Sequence, residues 1–61
     1  MKIIIDEHSE DIRIDVMLAD IMKNMSRSKL QSCIKNGTVL VNNKTVKPSY
    51  ITKEDDAVEI N

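Results

Sequence analysis

Residues 26–46 read SRSKLQSCIKNGTVLVNNKTV, and the spacing of the apolar side chains changes halfway along. Leu30, Cys33 and Ile34 recur at intervals of three and four, the period of one helix face, so a helix is expected from Arg27 to about Asn36. Ser26 offers an N-cap hydroxyl, and Gly37 supplies the residue that best tolerates the left-handed backbone of a helix end. Ser28, Ser32 and Lys35 lie opposite the apolar stripe, with Lys29 and Gln31 on the flanks. Past Gly37 the period falls to two. Thr38–Val41, the pair Asn42-Asn43, then Lys44–Val46 read as a β-hairpin, because Asn accepts the positive φ that two-residue turns demand.

Toward the N-terminus, Ile14, Met17, Leu18, Ile21 and Met22 form a second helical stripe, on a helix expected from Ile12 to Lys23 with Asp11 as its N-cap. Asp15 and Asp20 fall off that stripe. Arg13 stands in the first turn, where a cation gains nothing from the helix dipole, so some other partner for it is expected. Met17 and Met22 read as core filler, and Asn24 with Met25 makes a tight connection that turns the two helices into a hairpin. Lys2–Ile5 reads as a strand or lead-in, and Asp6–Asp11 as an acidic loop. Toward the C-terminus, Pro48-Ser49 breaks the hairpin, Tyr50–Thr52 is briefly extended, Glu54–Asp56 turns, and Ala57–Ile60 closes as a strand. The fold class is α+β: a two-helix hairpin packed on a small, mostly antiparallel sheet. The organisation expected is a lead of residues 1–11 and one domain over 12–61.

With 61 residues there is room for one thin core, since a chain of this length buries only about 60% of the surface its unfolded form exposes. Function is therefore sought on the outer surface, and catalysis by the chain itself is not expected. Cys33 is the single cysteine and lies on an apolar stripe, which removes disulfides and cysteine-based zinc sites and fits a reducing, cytoplasmic setting. His8 is the single histidine and has no second ligand near it, so neither a metal nor a cofactor is expected. Asp55-Asp56 reads as a turn and not an acid–base pair, with nothing nearby expected to drive the two pKa values apart. The run Ile3-Ile4-Ile5 is too short to span a membrane. Tyr50 is the sole aromatic residue, which argues against recognition by serial base stacking.

The net charge of −1 hides a strong division along the chain. Residues 1–22 set Lys2 and Arg13 against six acids, and residues 54–61 carry four acids and no cation. Between them, residues 23–53 hold Lys23, Arg27, Lys29, Lys35, Lys44, Lys47 and Lys53 with no acid at all, the footprint of a surface for a polyanion. The competing expectation is that these cations pair with the acidic flanks in the fold. Ser26-Arg27-Ser28-Lys29 is the most informative element, because a helix N-terminus already favours phosphate and here it adds two hydroxyls and two cations. Arg13 joins this cradle if the helices cross near that end, and Lys35, Asn42, Asn43 and Lys44 extend the cationic track.

Taken in order, Arg13-Ile14-Asp15, Leu18-Ala19, Ser26-Arg27-Ser28, Ile34-Lys35-Asn36-Gly37, Val39-x-Val41-Asn42-x-Lys44, Val46–Tyr50 and Asp55-Asp56-x-Val58-Glu59-Ile60 resemble the S-four RNA-binding domain, also called the α-L RNA-binding motif. The resemblance runs from about Ile12 to Ile60. The family includes a ribosomal protein, rRNA pseudouridine synthases, a ribosome-binding heat-shock protein, tyrosyl-tRNA synthetase tails and rRNA methyltransferases. Val46–Tyr50 looks most like the N-terminal module of the pseudouridine synthases. The resemblance implies an RNA-facing surface carried here by Arg13, Ser26, Arg27, Ser28, Lys29, Lys35, Gly37, Asn42 and Lys44, with structured RNA, rRNA in particular, as partner. It implies no catalytic residue in this chain, since the synthases' aspartate lies in a separate C-terminal domain. The chain is thus expected to be an excised N-terminal domain or a free-standing small protein. Asn43 departs from the family's usual glycine, and the acidic lead lowers the overall charge. Two alternatives come from other classes: a β-grasp sulfur carrier, which lacks its C-terminal Gly-Gly here, and a DNA-binding helix-turn-helix, for which Ser28, Ser32 and Lys35 are a thin reading set.

Overall fold

A computed structural model describes residues 1–61, in the order β1 (Lys2–Ile4), α1 (Ile14–Ile21), α2 (Arg27–Lys35), β2 (Val39–Val41) and β3 (Ala57–Ile60). The second helix has both expected ends. Ser26 Oγ accepts a hydrogen bond from the Lys29 N–H at 3.1 Å, and the chain leaves through Asn36 into Gly37 at φ +89°. Leu30, Cys33 and Ile34 are its buried residues, as their spacing requires.

The first helix is shorter than its pattern suggests. Asp11 does not cap it: its φ is +63°, and residues 11–14 run alongside 50–52 instead. Asp11 N–H donates to Thr52 O at 2.8 Å, Thr52 N–H to Ile12 O at 2.9 Å, and Ile14 N–H to Tyr50 O at 2.8 Å. These bonds hold Ile12 and Arg13 extended, so helical geometry begins only at Ile14. At the other end Met22 donates its N–H back to Leu18 O at 2.7 Å and ends the helix before Lys23. Ile21 is consequently 45% exposed rather than part of the core.

The three strands form an antiparallel sheet in the order β1-β3-β2. Lys2 to Ile4 pair with Glu59 to Ala57, and Val39 to Val41 pair with Ile60 to Val58. The expected hairpin is therefore corrected. Asn42 and Asn43 do take positive φ, 51° and 67°, but the return arm makes one bridge, Lys44 with Val41, and no strand. Beyond that bridge Val46 turns in against the core and Pro48, lacking an N–H, cannot extend a ladder. The partner of β2 is β3, and Asn42 locks it there: its N–H donates to Ala57 O at 2.8 Å, and its Oδ1 accepts the Ala57 N–H at 3.0 Å.

Helix hairpin and sheet enclose one core of Ile5, Ile14, Met17, Leu18, Leu30, Cys33, Ile34, Val39, Val41, Val58 and Ile60. Contacts α1–α2 and α2–β2 join the layers, so α2 is the element that fixes the surface carrying Ser26 to Lys35. No helix is long and apolar enough to cross a membrane.

Candidate nucleic-acid interface

Lys23, Arg27, Lys29, Lys35, Lys44, Lys47 and Lys53 are all exposed. The ion pair of the structure is Arg13 with Asp15 at 2.9 Å, and the exposed His8 Nε2 lies 3.7 Å from Glu7 Oε1. The acidic flanks therefore form no ion pair with the cationic segment. At the start of α2, Ser26, Arg27, Ser28 and Lys29 stand together in solvent. Ser26 Oγ takes the Lys29 N–H, while the N–H groups of Arg27 and Ser28, orphaned by helix geometry, have no protein acceptor. Ser28, Ser32 and Lys35, four and three residues apart, line one exposed face of the helix from this end to the other.

Arg13 has the partner that its position called for. Its Nε donates to Asp15 Oδ1 at 3.1 Å and its Nη2 to Asp15 Oδ2 at 2.9 Å. Asp15 is only 2% exposed, against its expected place off the apolar stripe. Burial alone pushes its carboxyl pKa up. The Arg13 hydrogen bonds and charge, the Val16 N–H and the charge of Arg27 outweigh that push and hold it below the usual aspartate value. One buried carboxylate is thus stabilised in its charged form by both guanidinium groups, Arg13 by direct hydrogen bonds and Arg27 by charge alone. The unmet cation at Arg13 was the only signal in the sequence that Asp15 turns inward.

The remaining residues singled out by sequence fall at the far end of α2 and at the turn. Lys35 closes the helix with an exposed side chain. Gly37 follows in the left-handed region, where a Cβ would find Thr45 Oγ1 at 3.7 Å, so conformation and not space requires glycine there. Asn42 is tied inward, its Nδ2 donating to Asp56 Oδ1 at 3.0 Å in addition to its bonds with Ala57. Lys44 stands on the turn that Asn42 and Asn43 make. Three residues outside the set assigned from the sequence lie beside Lys35 in the fold. Thr45, Lys47 and Ser49 line a groove with it.

Asp56 is not an idle turn residue. It is 7% exposed and accepts three hydrogen bonds, from Tyr50 OH at 2.6 Å, Lys53 N–H at 2.9 Å and Asn42 Nδ2 at 3.0 Å. Burial raises its pKa, but the Tyr50, Lys53 and Asn42 hydrogen bonds and the Lys53 charge bring the balance below the usual value. The same bond to Asp56, with burial and the carboxylate's charge, raises the Tyr50 pKa. The expectation that nothing perturbs Asp56 is therefore corrected; its role is to pin the loop that carries Tyr50. Cys33 is buried, and no three His, Cys, Asp or Glu side chains converge on one point.

Comparison with known proteins agrees with this geometry. The family model of the S4 domain matches residues 12–58. An uncharacterized RNA pseudouridine synthase of Chlorobaculum parvum is 43% identical over 49 residues, which make up 80% of this chain and 15% of that protein. The ribosome-associated protein quality control protein P2 of Bacillus subtilis is 43% identical over 56 residues, 90% of this chain and 21% of that protein. The chain therefore spans a small fraction of the length of the curated relatives it matches. No solved structure gives a significant match.

Proposed function

The chain belongs to the S4 domain family, an RNA-binding module, and from that premise we propose that it binds folded rRNA through the exposed cationic surface of α2 and the Asn42–Lys44 turn. Arg13, Ser26, Arg27, Ser28, Lys29, Lys35, Gly37, Asn42 and Lys44 are the residues assigned to that surface. The observation that carries the reading is the absence of any ion pair on the seven cations of residues 23–53. Unpaired cations around a helix N-terminus whose Arg27 and Ser28 N–H groups have no protein acceptor fit phosphate oxygens, and with one aromatic residue the chain reads backbone shape in preference to base sequence. Gly37 and Asn42 serve by shape: the first sets the exit of α2, and the second fixes the turn that presents Lys44.

No step of catalysis is assigned to this chain. The two relatives differ in what their names say they do, yet share this segment, which supports a recognition module whose larger protein supplies any activity. We place that larger protein among the rRNA pseudouridine synthases of the cytoplasm. A ribosome-associated factor is the second reading, favoured by the match that covers more of the chain. Titrating the protein with an rRNA stem-loop at a series of salt concentrations tests the binding reading. If about four to seven cations meet phosphate, the slope of log affinity against log salt is roughly −3 to −6. A slope near zero removes the electrostatic interface.

A further inference from the structure

Between the last turn of α2 and the loop that follows the Asn42-Asn43 turn lies a groove of about 550 Å³, lined by Lys35 and by residues 45–50. Its walls divide by chemistry. Val46, Pro48 and the ring of Tyr50 supply an apolar side, and Lys35 and Lys47 supply two cations without acidic partners. The hydroxyls of Thr45 and Ser49 make no hydrogen bond within the protein, so both are free to donate or accept.

The loop is held in place before any ligand arrives. Tyr50 OH is bonded to Asp56 at 2.6 Å, Tyr50 N–H to Lys47 O at 2.9 Å, and Pro48 O accepts the Asp15 N–H at 3.3 Å. Val46 packs against the core. The groove also has an approach: the exposed face of Ser28, Ser32 and Lys35 runs the length of α2 and ends at its rim.

An apolar and aromatic wall beside free hydroxyls and a cationic rim matches the three parts of a nucleotide. A base would lie against Val46, Pro48 and Tyr50, with Thr45 and Ser49 in place for ribose or base-edge polar atoms and Lys35 and Lys47 for the phosphate. A base inside a regular RNA helix is stacked and paired and cannot enter such a groove. We propose that the groove receives one unpaired nucleotide, bulged or in a loop, of an RNA whose backbone crosses α2. This inference rests on the RNA-binding reading above and adds to it a preference among RNA structures.

The test compares two RNA hairpins of equal length and charge, one fully paired in its stem and one with a single bulged nucleotide, bound to the intact chain at low salt. The bulged RNA is expected to bind about tenfold more tightly, in keeping with the energy of one base–aromatic contact. Ser49→Leu and Thr45→Leu each fill part of the groove without changing charge, at positions exposed in the fold. Each is expected to bring the ratio of the two affinities close to one while binding of the paired hairpin and the melting temperature stay as in the parent. Two variants are used so that a folding defect in one does not decide the matter. Equal affinity of the parent for both hairpins, or an undiminished ratio in both folded variants, overturns the groove while leaving the RNA-binding reading intact. Failure of the parent to bind either hairpin overturns that reading and the groove together.

Discussion

The guanidinium of Arg13 forks onto the carboxylate of Asp15, with Nε to Oδ1 at 3.1 Å and Nη2 to Oδ2 at 2.9 Å. The carboxylate is fully buried and the guanidinium is about half exposed, 0% against 49% of side-chain surface. The pair therefore fastens the start of α1 while leaving a cation at the surface, and on the RNA-binding reading proposed above that same arginine also belongs to the interface.

Removing one partner tests that double role. Arg13→Ala leaves a buried carboxylate with only the Val16 N–H, and the expected loss of stability is about 1–2 kcal/mol in chemical denaturation. The figure is below the 3–5 kcal/mol typical of a fully buried pair because half of the guanidinium is already in water. Arg13→Lys is expected to recover part of that loss, since it restores charge without the fork. An unchanged denaturation midpoint in Arg13→Ala contradicts the structural half of the assignment.

Stability should fall in acid. Asp15 and Asp56 both have folded-state pKa values below the unfolded value of about 4, so the stability they contribute is fully present above that pH and is lost as pH drops through the lower folded-state values. Tyr50 behaves in the opposite sense. Its raised value means that its contribution is complete below about pH 10 and is lost as pH climbs through the folded-state value. A melting curve series is expected to be flat between pH 6 and 9 to within roughly a degree or two for these groups, with the decline beginning below about pH 4. In Asp56→Asn the acid limb should become shallower.

Arg27→Ala separates binding from folding. Arg27 is exposed on the first turn of α2 and has no partner in the protein, so its loss should weaken RNA binding roughly 5- to 30-fold through lost charge-assisted contacts. The melting temperature should move little. A collapse of the melting transition in this variant reassigns Arg27 to the fold.

Gly37 answers to conformation alone. With Thr45 Oγ1 at 3.7 Å from a built Cβ, alanine meets no clash, and Gly37→Ala measures the cost of φ +89°, about 1–2 kcal/mol. Gly37→Val should cost more, because a β-branched side chain resists the left-handed region more strongly. Equal stability of glycine, alanine and valine at this position is the result that contradicts it.

Asn42→Ala removes the acceptor of the Ala57 N–H and one donor to Asp56. The expected loss is about 1–2 kcal/mol, together with faster amide exchange at Ala57. Exchange at Ala57 as slow as in the parent means the Asn42 tie is not what holds the end of β3.

The parts of this fold that local pattern controls were legible in the sequence. Helix α2 carries its cap, stripe and terminator within twelve residues, and the closing strand Ala57–Ile60 alternates as a half-buried strand does. What escaped was set by contacts distant in sequence. The true start of α1 depends on hydrogen bonds from residues 11–14 to residues 50–52, and the helix pattern at Ile12 and Arg13 contains no trace of them. The partner of β2 is β3 and not the nearby Lys44–Val46, because Asn42 bonds both main-chain groups of Ala57, fifteen residues away. Asp15 and Asp56 look like surface acids until Arg13 and Tyr50 are seen to meet them. Of the candidate interface, the cationic segment and the helix N-terminus were readable as charge and spacing, whereas the groove beside Lys35 required knowing where the chain goes after the turn.

The central claim is that RNA meets the exposed surface of α2 and the Asn42–Lys44 turn in preference to the rest of the cationic segment. An amide chemical-shift titration with a folded rRNA stem-loop, with duplex DNA of equal length as control, tests it most directly. The account predicts shifts for RNA concentrated at Arg13, Ser26 to Lys29, Lys35 to Gly37 and Asn42 to Lys44, with smaller shifts for DNA. No shifts at low salt, or equal shifts with DNA spread over all seven cations, would contradict it.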